Sequence, residues 1–282
     1  MSKPPFLALP AGAEARTLDT DRGAFAAHFA GRRERGTALL VPGFTGSKED
    51  FIALLEPLAA RGFAVAAVDG RGQHETPGPD DEAAYGLGEL AADLLAQARA
   101  LGGEVHVVGH SLGGLVAREA VLRDASPFAS LTLMSSGPAA VAEEQQARVK
   151  TLIGALAVLD LESVWQAMRA LDPPEAADDG TPADVAGFLH RRWMNTRPAQ
   201  LIAAGRLLIE ERDRVAELAG VELPKHVLSG AVDYAWPVER LDRMAARLRA
   251  HRTVVPGAEH SPNVDQPAVT ATALADFWAS IA

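Results

Sequence analysis

The sequence contains no cysteine, which excludes disulfides, thiolate metal sites and a cysteine nucleophile. Basic residues are in deficit: 27 Lys and Arg stand against 37 Asp and Glu, for a net charge of −10. A chain this acidic is poorly suited to nucleic acid or anionic membrane unless it carries a local basic patch. The basic clusters present are short, such as Arg32, Arg33 and Arg35, and read as a solvated turn. No apolar run is long enough to span a bilayer. The first residues, MSKPPFLALPAGAEAR, hold a short apolar patch broken by prolines and lack the charged start and continuous apolar run of a secretory signal. The expectation is a soluble, cytoplasmic protein that neither binds nucleic acid nor inserts stably in a membrane. His and carboxylates do not recur at i, i+4 spacing with a third partner, so no metal site is expected. There is no P-loop, and the Gly-rich stretches read as turns, so no nucleotide, flavin or other cofactor is implied.

What is present is a chain of 282 residues with 48% hydrophobic and 23% charged residues, enough for a sizeable core. Short β-branched apolar runs alternate with longer segments of helical period, the pattern of βαβ units around a parallel sheet. The runs are Thr37–Val41, Ala64–Val68, Val105–Val108, Leu131–Met134, His226–Leu228 and Thr253–Val255. Helical segments are expected over Lys48–Arg61, Leu87–Leu101, from Leu112, and over Val264–Ile281. Ala15–Leu18 and Ala24–Phe29 flank an Asp21-Arg22-Gly23 turn signal and predict an antiparallel hairpin at the sheet edge. From Pro138 to Val221 the alternation stops. That stretch reads as helices over Glu143–Leu159, Leu161–Ala170, Pro182–Asn195 and Pro198–Leu218, separated by Pro173-Pro174 and Asp178-Asp179-Gly180. The expected architecture is α/β, with a mostly parallel central sheet, helices on both faces and a helical cap insertion. Residues 1–137 and 222–282 form the core and 138–221 the insertion.

The sharpest chemical signal is Gly109-His110-Ser111-Leu112-Gly113-Gly114. It follows an apolar strand and opens a helix. A G-x-S-x-G at such a turn pushes the serine hydroxyl out at the top of the sheet, and small neighbours let backbone approach closely. The helix N-terminus offers free N–H groups to a developing oxyanion. The bland alternative is an ordinary Gly-rich βα turn.

The sequence resembles the α/β-hydrolase superfamily over nearly its whole length. Pro42-Gly43-Phe44-Thr45-Gly46 stands where the family usually has His-Gly, and Asp69-Gly70-Arg71-Gly72 where it has a D-x-R-G turn. Gly230–Asp233 with Pro237 resembles the acid-bearing loop, and Gly257–Pro262 the histidine loop. The order Ser, Asp, His is also the family's. A serine needs a base within reach. Of the eight histidines, His106 and His226 fall within strands, His28 in the hairpin, His190 in the insertion and His251 before a strand. His110 adjoins the nucleophile, but its side chain is expected to point away from Ser111. His74 is the rival, and His260, in a turn-rich loop past a strand's C-terminal end, is the expected general base. Asp233 is the expected orienting acid; the alternative is an Asx-turn or cap residue. Asp265 is expected to cap or begin the last helix. The resemblance implies an oxyanion hole from the backbone N–H groups of Leu112 and Phe44. Thr45 either adds a hydroxyl or serves the turn. Asp69 and Arg71 read as a structural ion pair or turn contact, and Asp80-Asp81-Glu82 as a solvated loop.

By the same resemblance, 138–221 is a lid. Its apolar residues, including Trp165, Met168, Leu171, Phe188, Trp193 and Met194, are expected to divide between lid packing and the pocket wall, with Trp165 and Trp193 as substrate-contact candidates. Arg191-Arg192 either greet an anionic substrate or form a solvated face. The implied activity is hydrolysis of a carboxylic ester or thioester of a small to medium apolar substrate, through an acyl-enzyme on Ser111. The alternatives are carbon–carbon bond cleavage, a lyase reaction or acyl transfer with the same residues, and a non-catalytic ligand receptor on the same fold. The partner is then a small molecule, and the chain a monomer or homodimer.

Overall fold

The computed structural model describes residues 1–171 and 180–281. Eight strands form one sheet: β1 (Ala13–Thr20), β2 (Gly23–Ala30), β3 (Gly36–Val41), β4 (Phe63–Val68), β5 (Val105–His110), β6 (Phe128–Met134), β7 (Lys225–Gly230) and β8 (His251–Val255), in the order β1-β2-β4-β3-β5-β6-β7-β8. β3 to β8 pair in parallel, while β2 pairs antiparallel with both β1 and β4. The edge hairpin closes with Thr20 opposite Gly23.

The helices are α1 (Ile52–Ala59), α2 (Leu87–Ala100), α3 (Leu112–Arg123), α4 (Glu143–Leu156), α5 (Leu161–Leu171), α6 (Ala183–Asn195), α7 (Pro198–Glu210), α8 (Val215–Ala219), α9 (Val238–Leu248), α10 (Pro262–Asp265) and α11 (Pro267–Ser280). α4 to α8 lie in sequence between β6 and β7, the helical insertion that the break in alternation predicts. Pro173-Pro174 and Asp178-Asp179 lie outside the described residues.

The central strands carry apolar residues on both faces because both are covered. In β3, Ala38 and Leu40 pack toward α1 and α11, while Leu39 and Val41 pack toward α2, α3 and α9. This period of two, buried on each side, is why the strands read as unbroken apolar runs. A third cluster, built on Leu156, Trp165, Val185, Phe188, Leu189, Trp193 and Leu201, is the insertion's own core.

Several expected helices differ in extent, among them the one expected over Glu143–Leu159, which ends at Leu156. The last helix is split, because Pro267 lacks an N–H to continue α10 and instead starts α11 at its first turn. The segment expected over Pro198–Leu218 stops at Glu210, and Asp213 then accepts the Val215 N–H at 2.8 Å to start α8. The Lys48 segment begins as a 3-10 turn, Lys48–Phe51, before α1.

The strand histidines are core residues. His106 stacks on Trp278 with ring centroids 5.0 Å apart, and His226 packs on Phe277 at 4.7 Å. Burial pushes the rings down, His106 to about 4 and His226 to about 3. An unfolded chain binds these protons near pH ~6.5. Between those values the unfolded state holds more protons, so their stabilisation is present above the unfolded pKa and lost as pH falls toward 4 and 3. Each ring contributes a slope of up to about 1.4 kcal/mol per pH unit. His226→Phe should therefore flatten the stability–pH profile on its acid side by one proton, read from urea unfolding at a series of pH values. An unchanged slope would contradict the buried, neutral assignment.

Candidate active site

The turn after β5 places Ser111 at φ 54 and ψ −119, a region that side chains rarely enter. The Ser111 N–H donates to the Met134 carbonyl at 2.9 Å, tying the turn to the end of β6. Two glycines make the approach possible. A Cβ at Gly109 would collide with the Gly113 carbonyl, and one at Gly113 would come within 2.5 Å of the Val41 carbonyl. Leu112 is the first residue of α3, so its N–H has no partner within the helix and faces the end of the sheet.

His260 follows β8 and Asp233 follows β7. Their loops are bound together: Ala231 N–H donates to the Ala258 carbonyl at 2.9 Å, and Glu259 N–H donates to Asp265 Oδ2 at 2.8 Å. Asp265 thus braces the histidine loop from within α10. His260 Nδ1 lies 3.0 Å from Asp233 Oδ1, which also accepts the N–H groups of Ala235 (2.8 Å) and Trp236 (3.0 Å). A carboxylate is an acceptor only, so the His260 Nδ1–H is the donor in this contact. Ser111, His260, His110, Gly43, Phe44 and Thr45 line one cavity of about 180 Å³. Among the described residues, the Ser111 hydroxyl makes no hydrogen bond to the ring, as is common in unliganded sites.

His110 does not simply turn away from Ser111. Its Nε2 donates to the His260 carbonyl at 2.8 Å, with ring centroids 5.2 Å apart. Burial pushes its pKa down to about 3, so it is neutral and fixes the histidine loop from below. Tyr234, half exposed, sets its ring 5.0 Å from that of His260 on another side. His74, the rival base, instead packs edge-on to Phe188 with centroids 5.4 Å apart, beside Glu49.

Val141, Gln145, Val149 and Leu208 of the insertion also line the cavity, as do Tyr234, Ala235, Asp50, Ser261 and the N-terminal Met1 and Ser2. Trp165 and Trp193 do not line it. They pack in the insertion's own core, where Trp193 Nε1 donates to the Leu161 carbonyl at 2.8 Å. Met168 packs against the same cluster, and Met194 is exposed. Nothing in composition separates a wall valine from a core tryptophan; only the position of α4 and α7 over the site does.

The charged residues also depart from expectation. Arg192 is neither solvated nor aimed at a ligand: it is fully buried, and its Nη1 donates to Asp50 Oδ1 at 2.7 Å. Arg191 is exposed. Asp69 and Arg71 do serve in structural ion pairs, each with a different partner. Asp69 takes the Lys48 ammonium at 2.9 Å, and Arg71 Nε donates to Asp93 at 2.7 Å. The Asp80–Glu82 run is not a free loop, since Asp81 caps a 3-10 turn and Glu82 pairs with Arg206 of α7. Glu49, His74 and Glu75 converge within metal-ligand reach. Lys48 already occupies that cluster, 2.9 Å from Glu49 and 2.7 Å from Glu75. Burial alone would depress the Lys48 ammonium, but the surrounding Asp69, Glu49 and Glu75 carboxylates raise it above its ordinary value. The Lys48 ammonium offsets part of the charge of these carboxylates, and the donors come from separated segments, which is why no spacing announced the cluster.

The sequence profile of the "Alpha/beta hydrolase family" matches residues 38–273. The chain belongs to the alpha/beta hydrolase family. The chain is similar to a pimeloyl-[acyl-carrier protein] methyl ester esterase of Aeromonas hydrophila, 29% identical over 222 residues, which cover 75% of this chain and 83% of the relative. It is also similar to a 3-oxoadipate enol-lactonase of Acinetobacter baylyi, 24% identical, with 73% and 74% covered. A solved hydrolase structure from Pseudomonas aeruginosa superposes with a TM-score of 0.76 at 25% identity, covering 95% of this chain and 99% of that one.

The strain at Ser111 has a measurable consequence. Ser111→Gly and Ser111→Ala both remove the hydroxyl, but only Gly relieves the positive φ, at a backbone cost of roughly 1–3 kcal/mol. The Gly variant should therefore unfold at a higher temperature than the Ala variant, by about 1 kcal/mol after Gly's larger entropy loss. At an unstrained helix N-terminus the order would be reversed, and that result would remove the strain assignment.

Proposed function

We propose that this alpha/beta hydrolase cleaves a small carboxylic ester through an acyl-enzyme on Ser111. The observation that carries the reading is the arrangement of Ser111 on a strained turn, in the same cavity as a His260 ring whose Nδ1 is held by Asp233. His260 Nε2 takes the Ser111 proton as the hydroxyl attacks the ester carbonyl. The N–H groups of Leu112 and Phe44 receive the oxyanion. His260 then protonates the departing alcohol, and a water activated by the same ring releases the acid. The relatives favour ester chemistry, since a methyl ester esterase and an enol-lactonase both cleave carboxylic ester bonds.

The cavity supports a small substrate. At about 180 Å³ it falls below the ~300–1,000 Å³ of common ligand pockets. Its apolar wall from Val141, Val149 and Leu208 suits a short acyl or alkyl group. We infer that residues 138–221 act as a cap, because α4 and α7 supply that wall.

Intact-mass analysis after reaction with a fluorophosphonate tests the reading. One adduct is expected on the parent and none on Ser111→Ala or His260→Ala. Asp233→Asn should fold yet lose roughly 10⁴-fold in kcat, because the imidazole tautomer is no longer enforced. A folded parent that neither reacts with the probe nor turns over any short-chain aryl ester or thioester would overturn the proposal and return the chain to a ligand-binding role. Among esters that are cleaved, kcat/KM should fall as the acyl chain outgrows the cavity.

A further inference from the structure

Arg192 is an arginine on an otherwise apolar helix face. Val185, Phe188, Leu189, Arg192 and Trp193 are the buried positions of α6, and the guanidinium lies over the Phe188 ring, 5.4 Å from its centroid. Both Arg192 and its partner Asp50 have fully buried side chains. Arg192 Nη1 donates to Asp50 Oδ1 at 2.7 Å, and Nη2 donates to the Ser2 carbonyl at 2.8 Å. A buried ion pair is a weak means of gaining stability, because desolvation offsets most of the attraction. Its location is therefore the informative part.

Asp50 lies directly beneath the turn that carries Phe44. Its Oδ2 accepts the Ser47 N–H at 3.3 Å, and a Cβ at Gly46 would come within 2.5 Å of the same oxygen. The turn is closed by Gly46 N–H donating to the Gly43 carbonyl at 3.1 Å, with Thr45 at φ 58. Phe44 packs against both the main core and the insertion's core. The Asp50 carbonyl accepts Asn263 Nδ2 at 2.7 Å, so the same residue also holds α10, which follows His260. Asp50 itself is part of the cavity wall.

We propose that Arg192, acting through Asp50, is a positioning residue that sets the Gly43–Ser47 turn so that the Phe44 N–H meets the oxyanion, and so makes a competent site depend on the seating of the cap helix α6. The inference rests on the esterase reading given above. The guanidinium touches no reacting atom. It fixes the carboxylate that the turn is folded over, whereas the apolar part of the cavity wall comes from Val141, Val149 and Leu208. Loss of the pair therefore weakens binding of the transition state and leaves ground-state binding in place.

The test compares the parent with Arg192→Met, Asp50→Asn and the double variant, using a short aryl ester and an aryl trifluoromethyl ketone, which forms a tetrahedral oxyanion on the serine. The single variants strand a buried charge and can fail to fold. The double variant buries no lone charge, keeps similar volume and is decisive. It should unfold cooperatively, lose about 100-fold in kcat with KM within about threefold, and bind the ketone more weakly by the factor lost in kcat. Any single variant that folds should lose as much as the double, since the pair acts as a unit. A folded double variant with parental kcat, or one changed only in KM with unaltered ketone binding, overturns the proposal. Fluorophosphonate labelling of the parent separates the two levels. A labelled, active parent with an unaffected double variant sinks this inference alone, whereas an unlabelled, inactive parent sinks both.

Discussion

Backbone crowding at the turn after β5 is the constraint on which the rest of the site depends. Ser111 can occupy φ 54 only because Gly109 and Gly113 let the strand, the helix and the carbonyl of Val41 come into contact behind it. The same closeness brings the first N–H of α3 to the end of the sheet, where the loops after β3, β7 and β8 also end. A side chain at either glycine would move α3 away and separate the hydroxyl from the cavity it now lines. The strain is local, and the surrounding packing holds it in place.

Around that turn the protein uses hydrogen bonds to main chain more than direct contacts between functional groups. Asp233 Oδ1 accepts two backbone N–H groups besides His260, so the carboxylate is fixed before the ring is. His110 and Asp265 hold the histidine loop through the His260 carbonyl and the Glu259 N–H. Charge is handled in the same way. The Lys48 ammonium is shared among Asp69, Glu49 and Glu75, and Arg192 and Asp50 join α6 to the turn after β3. Arg192 thus ties the insertion to Asp50, a residue of the cavity wall.

Much of this was legible in the sequence for identifiable reasons. Strands buried on both faces, such as β3, β5 and β6, appear as continuous apolar runs, whereas β8 at the sheet edge is only partly buried and shows in the sequence as the short Thr253–Val255 run. The hairpin announced itself through Asp21-Arg22-Gly23. Gly109–Gly114 carried its own geometry, since that spacing serves few purposes outside a crowded turn. What stayed hidden depends on residues far apart in the chain. Lys48, Asp69 and Glu75 meet only in three dimensions, and the pocket wall comes from Val141, Val149 and Leu208, which look like any core aliphatics. Arg192 is the instructive case. Its place at i+7 from Val185, with Phe188 and Leu189 between, put it on the apolar face of α6. That periodicity already indicated a buried cation needing a carboxylate, whereas its charge alone suggested a solvated one.

The account stands on Ser111 as the atom that receives the acyl group, and an aryl carbamate tests this most directly, because a carbamoylated serine is released slowly. The released phenol should equal the enzyme present, and peptide mapping should recover the carbamoyl group on the peptide bearing Ser111. Recovery on another residue, or none on a protein that nonetheless hydrolyses esters, would contradict the account.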